Sequence, residues 1–573
     1  MSKTPVINEQ LDNIARAIWN VAGGGINQQS LDATFGAMLN GDNTTEIFWQ
    51  WWPLSETANN TKYDRLCRFA TMCAKAWKDK VYTLRSYNAD VSSLTTMTPL
   101  ADLAGREPAQ LCTETTEPVK DWADEDPMTW YIRAQALSLA DGTMNITYLE
   151  GEEGFDINGE DAPVYSFALS LWMNDYTDGQ YDYKTFATVQ KPGLYPMPGD
   201  VDPQNAKRPI TWHSAFPGGL NSKGALTSGA GRPPYNFHSA NDGIAAARKM
   251  TDYEGLWCDC DTNWLLCMWQ LRHFDLENSN ILEGCLNYNY QDMAAKAETG
   301  VRRVLLASGA GAKYVVGSNV AVGDMGDDAS ANKDRGQAHT RNLVANAQIS
   351  SIENVIIDGT AYDALNLILD KTIDVPAVAM VSTMPYFSGD TEALPGHKDG
   401  CRVSLTAGKT PIRVAGVEAI EGAYAIGLDP LYNVTTDTVE GATVYKYAIY
   451  ECRDSVNQAG SITKNYIDTG LSNGDAVGWT NGWKYEKSFI RNKRGILFPD
   501  KLGGSSTTYF KSAFYVAGSA GVRCPWRFMH LYNGGYGGLA GEVGDLAPSR
   551  AGWYGRPRLS GAATKRGEWQ AAA

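Results

Sequence analysis

The chain of 573 residues carries a formal net charge of −15 and ten cysteines. Its length exceeds what one hydrophobic core usually serves, so we expect roughly three or four domains. The acidic balance argues against a nucleic-acid partner, because phosphate recognition requires a concentrated basic surface.

The start of the sequence lacks the apolar segment of a signal peptide, and no run of about eighteen apolar residues occurs in the chain. We therefore expect synthesis in a cytoplasm without a signal peptide, and no membrane insertion. The cysteines are scattered and lack the paired spacing of zinc sites, which predicts buried thiols. A disulfide joining Cys258 or Cys260 to Cys267 or Cys285 is the alternative.

Helical spacing of apolar residues marks two segments near the N-terminus. The residues are Ile7, Leu11, Ile14, Ile18 and Val21, then Leu66, Phe69, Ala70, Cys73 and Trp77. An aromatic cluster between them, Phe48, Trp49, Trp51 and Trp52, is typical of a core or a subunit interface. We predict that residues 1–115 form a helical region for attachment or oligomerisation.

Residues 116–234 have the composition of a β-rich region with long loops. Tyr, Thr, Val and Phe are frequent from 128 to 190, which predicts strands. Pro and Gly are frequent from 195 to 235, which predicts ordered loop.

A capped apolar segment at 261–274 predicts a buried helix in which His273 is structural. Three strand-like runs follow at 302–306, 313–317 and 354–369. The last run contains an Asp-Gly turn at residues 358 and 359, which is typical of a hairpin. These runs predict a small β module at about residues 300–385.

The segment 521–560 contains nine glycines among aromatic and charged residues. Glycine permits sharp turns and close approach of the backbone, so such a segment can form irregular loops with outward side chains. We predict core anchors at Trp526, Leu531, Leu546 and Leu559. The candidate ligand-binding residues are Tyr532, Asn533, Tyr536, Leu539, Glu542, Asp545, Arg550, Trp553 and Tyr554.

Two alternatives stay open within this segment. Trp553 and Tyr554 are as well suited to packing beneath the loop as to contacting a ligand. A run of basic residues without an intervening acid could face an anionic ligand or belong to a solvated tail. The run comprises Arg550, Arg556, Arg558, Lys565 and Arg566.

Five motifs resemble, in order, those of C-type-lectin-fold domains carried by phage receptor-binding proteins of the major tropism determinant type, which retroelements diversify. They are TNWLLCMWQLRHFDLENSNILEGC (262–285), GVEAIEGAYAIGLDPLYN (416–433), the block 482–515, GVRCPWRFMHLYNGGY (521–536) and LAPSRAGWYGRPRLS (546–560). The sequence GAYAIG at 422–427 departs from the Gly-Asn-Val-Trp-Glu-Trp motif of related sulfatase-modifying enzymes.

The resemblance implies an α+β, β-rich, multidomain protein with a C-terminal C-type lectin fold of the formylglycine-generating-enzyme variant. The lectin-like domain would span 235–562, contain the β module as an insertion, and be followed by a tail at 563–573. The implied function is a tail-fibre or tail-tip adhesin of a phage virion. Its implied partners are a host cell-surface receptor, either protein or glycan, and other phage tail proteins, and its implied assembly is a homotrimer.

Two other functions fit the sequence less well: a structural tail or baseplate protein without receptor binding, and a variable binding protein displayed on a bacterial surface. The absence of a signal peptide in the sequence disfavours the second.

In the implied group, randomised side chains face outward while the framework stays fixed, and tyrosine and tryptophan supply large contact area at little entropic cost.

The sequence does not favour an enzyme. Formylglycine-generating chemistry requires paired reactive cysteines near the C-terminal strands, whereas only Cys524 lies there. The common hydrolase, metalloprotease and P-loop motifs are absent. The acidic loop 324–335 departs from the EF-hand order at Ala329 and Arg335, so a solvated loop is favoured over a calcium site. We expect no catalytic residue, metal or cofactor.

Overall fold

The computed structural model describes residues 28–39, 43–116, 122–326, 338–384, 387–395, 398–403, 408–474 and 477–569. Within these ranges the protein is β-rich, with several separate sheets and few helices. The predicted helix over 7–21 and residues 327–335 of the acidic loop lie outside the described residues.

Three helices come first in the described chain, and they are Gln28–Met38, Thr44–Leu54 and Lys62–Ala76. The third begins at a capping box between Thr61 and Asp64 and buries the apolar face that its helical spacing predicts. In the aromatic cluster, Phe48 is fully buried, and its ring centroid lies 4.9 Å from that of Phe69 and 5.1 Å from that of Trp130. The cluster is therefore part of the core.

Two antiparallel sheets contain the strands of the region predicted to be β-rich, and one of them also includes Tyr82–Tyr87 and Thr98–Ala101. The prediction of a helical region over residues 1–115 is wrong for these two strands, which pair with strands that follow residue 116 or with each other. The four-stranded sheet contains, in spatial order, Met144–Leu149, Tyr131–Ser138, Val164–Leu169 and Ile210–Ser214. The five-stranded sheet contains Thr98–Ala101, Tyr82–Tyr87, Tyr181–Ala187, Trp172–Asp178 and Tyr195–Pro196. A short helix at Trp122–Glu125 and a hairpin of Gly218–Leu220 and Leu226–Ser228 complete the region. The stretch predicted as loop thus also carries short strands.

The buried helix predicted from its capped apolar segment is confirmed as Asp259–His273, and nearly all of its side chains are buried. His273 lies inside the protein, with Nε2 3.1 Å from Oδ2 of Asp399. A shorter helix, Ala240–Ala247, precedes it. Both helices therefore belong to the interior that supports the C-terminal strands.

The central sheet packs beside this helix pair and has nine strands. Eight follow in the spatial order Pro499–Leu502, Gly482–Phe489, Ala513–Val516, Glu542–Val543, Trp526–Arg527, Tyr424–Asp429, Gly255–Cys258 and Leu559–Ser560. The ninth, Gly555–Pro557, pairs in parallel with Tyr424–Asp429. Its short C-terminal strands Gly555–Pro557 and Leu559–Ser560 pair with strands more than a hundred residues away in sequence.

Two smaller sheets flank the central sheet. One contains Tyr466–Ser472, Ala442–Cys452, Leu431–Val439 and Gly521–Arg523. The other contains Gly400–Cys401, Ile412–Val414 and Val417–Ala419.

The predicted β module is a six-stranded sheet with its own apolar core. Its strands, in spatial order, are Gln291–Met293, Ala379–Ser382, Asn319–Asp324, Val344–Ile357, Thr360–Leu367 and Arg303–Ala307. Glu298–Val301 pairs with Ile373–Val375 beside it. Asp358 and Gly359 have φ of 51° and 77°, as the tight turn of a two-residue hairpin requires.

One strand prediction in the module is wrong. Residues 313–317 do not form a strand, because the chain turns there through a 3₁₀ helix at Ala310–Lys313. The N–H of Gly311 donates to Oδ2 of Asp363 at 2.8 Å, which fixes the turn. The neighbouring strand begins only at Asn319.

One continuous core joins the N-terminal helices, the four-stranded sheet and the central sheet. The boundaries expected near residues 115 and 235 therefore do not separate independent cores, whereas the β module does have one. All ten cysteines are free, so the alternative disulfide of Cys258 or Cys260 is not formed. No helix among the described residues is long and apolar enough to span a membrane.

Candidate recognition face

The glycines of the segment 521–560 allow its loops to lie directly on buried side chains. A Cβ atom at Gly537 would lie 2.3 Å from Cδ2 of Leu286, and one at Gly555 would lie 2.2 Å from the ring of Trp526. Carbon atoms cannot approach so closely, so a larger residue at either position would displace the neighbouring side chain or the backbone. These glycines are framework residues, as the sequence predicts.

Gly538 lies against a buried carboxyl group. A Cβ atom there would be 1.8 Å from Oε1 of Glu277. The N–H and the hydroxyl of Ser279 donate to the other oxygen, Oε2, at 2.8 and 2.6 Å. Burial raises the pKa of the Glu277 carboxyl to about 8. The loop therefore covers an acid that is largely protonated at neutral pH.

A buried ionic cluster supports the same loop from the central sheet. Arg527 is fully buried, and its Nη2 lies 2.5 Å from Oδ1 of Asp259. Its Nη1 lies 2.8 Å from Oε2 of Glu542. The hydroxyl of Tyr432 donates to Oε1 of Glu542 at 2.6 Å. These contacts connect the loop to the N-terminus of the buried helix.

Two of the predicted ligand-binding residues do not face outward. Leu539 has no exposed surface and packs in the main core, while its N–H donates to Oδ1 of Asn278 at 2.8 Å. Glu542 is equally buried because its strand lies inside the central sheet, where it pairs with Arg527. Both residues are framework positions, which corrects their assignment to the recognition face.

Other predicted residues are accessible. Tyr532 is 67% exposed. Arg550 is also exposed, and its Nε and Nη2 donate to the hydroxyl of Tyr554 at 3.2 and 3.0 Å. Asp545 is half-buried. Burial raises its pKa to about 6, although Arg523 and Arg550 lower it. This side of the loop offers a phenol, a guanidinium and a carboxylate.

Asn533 is held by the fold although it lies at the surface. Its Oδ1 accepts hydrogen bonds from the hydroxyl of Tyr424 at 3.0 Å and from the N–H of His530 at 2.9 Å. These two bonds fix the orientation of the half-buried Asn533 side chain.

The loop residue Tyr536 is part of an aromatic group that sequence reasoning did not assign to the face. Its ring stacks on that of Trp483, with centroids 4.9 Å apart and an interplanar angle of 7°. Tyr485 lies 5.3 Å from the same ring. Alternation in Gly482–Phe489 places Trp483 and Tyr485 on one side of a strand, a signal that could have identified them.

Trp553 and Tyr554 pack beneath the loop and are also partly accessible, so they fit both roles that the sequence left open. Both are half-buried, and their ring centroids lie 5.4 and 5.5 Å from that of His530. Trp553 also packs against the core of the β module, which includes the buried Leu531. Each residue thus supports the loop while leaving part of its ring accessible.

Most of the basic run is buried, and only Arg550 and Lys565 are exposed. Arg556 and Arg558 are fully buried and donate to the carbonyl oxygens of Gly218 and Ser214 at 2.9 Å each. Arg566 is also buried, and its Nη2 lies 2.6 Å from Oδ2 of Asp429. Most of residues 563–569 are buried or half-buried, so this part of the predicted tail packs on the protein and is not solvated along its length.

The thiol near the C-terminal strands is unsuited to nucleophilic chemistry. Cys524 has no exposed surface, and burial raises the pKa of its thiol to about 12. A thiol with so high a pKa carries almost no thiolate at neutral pH. Over the described ranges, no three His, Cys, Asp or Glu side chains are grouped so that they could hold a metal ion.

Comparison with protein-family models and with curated proteins gives no match for this chain. The geometry of the face is therefore the basis for the functional conclusion. We use the name recognition face for the candidate surface that comprises Tyr532, Asn533, Tyr536, Asp545, Arg550, Trp553 and Tyr554, together with Trp483 and Tyr485.

Proposed function

We propose that the chain is a phage tail-fibre or tail-tip adhesin whose C-terminal region has a retroelement-diversified C-type lectin fold of the formylglycine-generating-enzyme variant and binds a host-surface receptor. The observation that carries the proposal is that one segment contains both fixed framework positions and outward-facing side chains. Gly537, Gly538 and Gly555 have no room for a side chain, whereas Tyr532 and Arg550 project outward. Such a division keeps the loop fixed while its outward side chains change.

The composition of the face supports binding. Tyrosine and tryptophan bury large areas at little entropic cost and are frequent in adaptable binding surfaces. The stacked Tyr536 and Trp483 are already ordered, so binding would cost little further side-chain entropy. In a homotrimer on the virion, three copies of the face would multiply the affinity of one site through avidity. The N-terminal region would then bind other tail proteins.

Substitution of outward side chains tests receptor binding directly. We expect Tyr532→Ala and Arg550→Ala to reduce attachment of the protein to cells of the bacterial strain that the phage infects, with unchanged thermal unfolding. Tyr148→Ala is a matched control, because this tyrosine is 41% exposed on the four-stranded sheet. Normal attachment by both face variants would favour a structural tail or baseplate role.

Comparison of sister isolates tests diversification separately. We expect differences to concentrate at Tyr532, Asn533, Tyr536, Arg550 and Trp553, and to spare Gly537, Gly538, Leu539, Glu542 and Gly555. A reverse-transcriptase gene and a near-copy of the segment encoding residues 530–558 should lie nearby. Uniform change along the chain, without those elements, would contradict diversification. A gene lying among bacterial surface-protein genes would instead favour the bacterial alternative.

A further inference from the structure

A cavity outside the recognition face lies between the five-stranded sheet, the buried helix and the segment 487–510. Its volume is about 110 Å³. One water molecule requires about 10–15 Å³ of such a volume, so the cavity has room for a small ring with its substituents. It is continuous with solvent and lies further along the strand that carries Trp483.

Aromatic rings and a polar pair line this cavity. Phe489 and Phe510 pack edge to face, with centroids 4.7 Å apart. In the same lining, Nζ of Lys184 lies 3.6 Å from Oδ1 of Asp175, and both side chains remain partly exposed. Gln270 lies at the same site. The walls thus combine apolar ring surfaces with a donor and an acceptor, as small-molecule sites commonly do.

The charge of the lining is unbalanced. It contains the cations Lys184, Lys487 and Arg491 and the anions Asp175 and Asp182, which leaves one positive charge in excess. Arg491 pairs with Asp182 at 2.5 Å, and Lys184 pairs with Asp175. Among the described residues, Lys487 forms no such ion pair. Its Nζ lies 5.1 Å from the ring centroid of Tyr509.

We propose that this cavity binds a uronic-acid sugar. The carboxylate pairs with Lys487, the face of the sugar ring packs on the aromatic wall, and the hydroxyl groups exchange hydrogen bonds with Asp175 and Lys184. A carboxylate supplies the missing negative charge, and a polyhydroxylated ring matches a wall with both a donor and an acceptor. The site is separate from the recognition face and does not depend on its function.

The test uses the full-length protein and sodium D-glucuronate or D-galacturonate in titration calorimetry, with saturation-transfer NMR as a second readout. We expect saturable binding of at least one uronate with a Kd of about 1 mM, which corresponds to a free energy of about −4 kcal/mol. D-Glucose has the polyhydroxylated ring without the carboxylate, and N-acetylglycine has the carboxylate without the ring. We expect both to bind more weakly than the uronate.

Variants locate the site. We expect Lys487→Met to weaken uronate binding about tenfold, which corresponds to about 1.4 kcal/mol. Asp175→Asn should weaken it as well. Lys464→Met, a change of an exposed lysine elsewhere, should leave it unchanged. The proposal is overturned if neither uronate binds at about ten times that Kd, if D-glucose or N-acetylglycine binds equally well, or if Lys487→Met binds like the parent protein.

Discussion

The β module and the glycine-rich segment 521–560 are stabilised by different kinds of contact. The module has a long hairpin, Val344–Ile357 with Thr360–Leu367, joined by a two-residue turn and packed over its own apolar core. The glycine-rich segment has strands of only two or three residues, and apart from the pair Trp526–Arg527 with Glu542–Val543 their partners lie outside the segment. Local pairing stabilises the first region, whereas close glycine contacts and buried charges stabilise the second. The proposed binding surface therefore belongs to the region in which regular secondary structure is nearly absent.

The largest expected difference between the two regions is the loss of stability when a paired arginine is replaced. We expect Arg527→Met to lower the free energy of unfolding by about 3–5 kcal/mol, because it leaves Asp259 and Glu542 buried without a cation. In the module, Arg303 forms a partly exposed pair with Glu298. Arg303→Met should therefore cost about 1 kcal/mol or less. Urea denaturation measures the free energy of unfolding of both variants. Equal losses would contradict the inference that buried charges stabilise the glycine-rich segment more than the β module.

Glycine should matter most where the backbone contacts a ring. Gly555→Ala would place Cβ 2.2 Å from the fully buried ring of Trp526, and we expect a loss of about 1–3 kcal/mol. Gly535→Ala is the control, since its nearest neighbour would be Cβ of Ser506 at 3.5 Å. Thermal unfolding of the two variants should separate a framework glycine from a tolerant one. If Gly535→Ala is as destabilised as Gly555→Ala, the close-contact explanation fails.

Buried acids near the glycine-rich segment should make its stability depend on pH. Burial raises the pKa of Glu277 and of Glu486 to about 8. Between the ordinary glutamate pKa near 4.5 and about 8, the folded protein binds more protons than the unfolded chain. The stabilisation is complete below that range and is lost as the pH rises through it.

We therefore expect Glu277→Gln with Glu486→Gln to flatten the decline of unfolding free energy between about pH 5 and 8. The control is Glu353→Gln, which changes an exposed carboxylate in the β module. Its pH profile should parallel that of the parent protein. A double variant with the parent's slope would show that these two acids do not titrate upon unfolding.

The smallest expected effect is local to the hairpin. Gly359 has φ of 77°, and no atom lies within 4 Å of the position that a Cβ would occupy, so only its backbone conformation opposes a side chain. We expect Gly359→Ala to cost about 1–2 kcal/mol, the usual penalty of a left-handed conformation. Gly359→Asn should recover part of this loss, because asparagine tolerates that conformation. Equal stability of the two variants would argue against strain at the turn.

Sequence patterns predicted the parts of the fold that depend on near neighbours. The buried helix Asp259–His273 and the hairpin turn at Asp358 follow from capping, spacing and turn residues. The strand expected at 313–317 fails because a contact with Asp363 fixes a turn there. That contact joins residues about fifty positions apart, beyond the reach of a local pattern.

The recognition face was only partly predictable for the same reason. Tyr532 and Arg550 follow a simple pattern of polar or aromatic residues between glycines. Burial of Leu539 and Glu542 depends on Asn278 and Arg527, and the sequence between glycines does not reveal those contacts. Trp483 was missed because it belongs to a separate strand that meets Tyr536 only in the folded protein.

The packing of Leu531 and Trp553 against the core of the β module has a consequence for evolution. A change at Trp553 alters the recognition face and the support of the module together. Its effect should therefore depend on which residues occupy the adjoining core, so substitutions in the two places would show epistasis. Tyr532 is 67% exposed and lies outside that core, so the effect of replacing it should depend less on the residues of the module. Positions of the proposed face would then differ in how strongly the module constrains their variation.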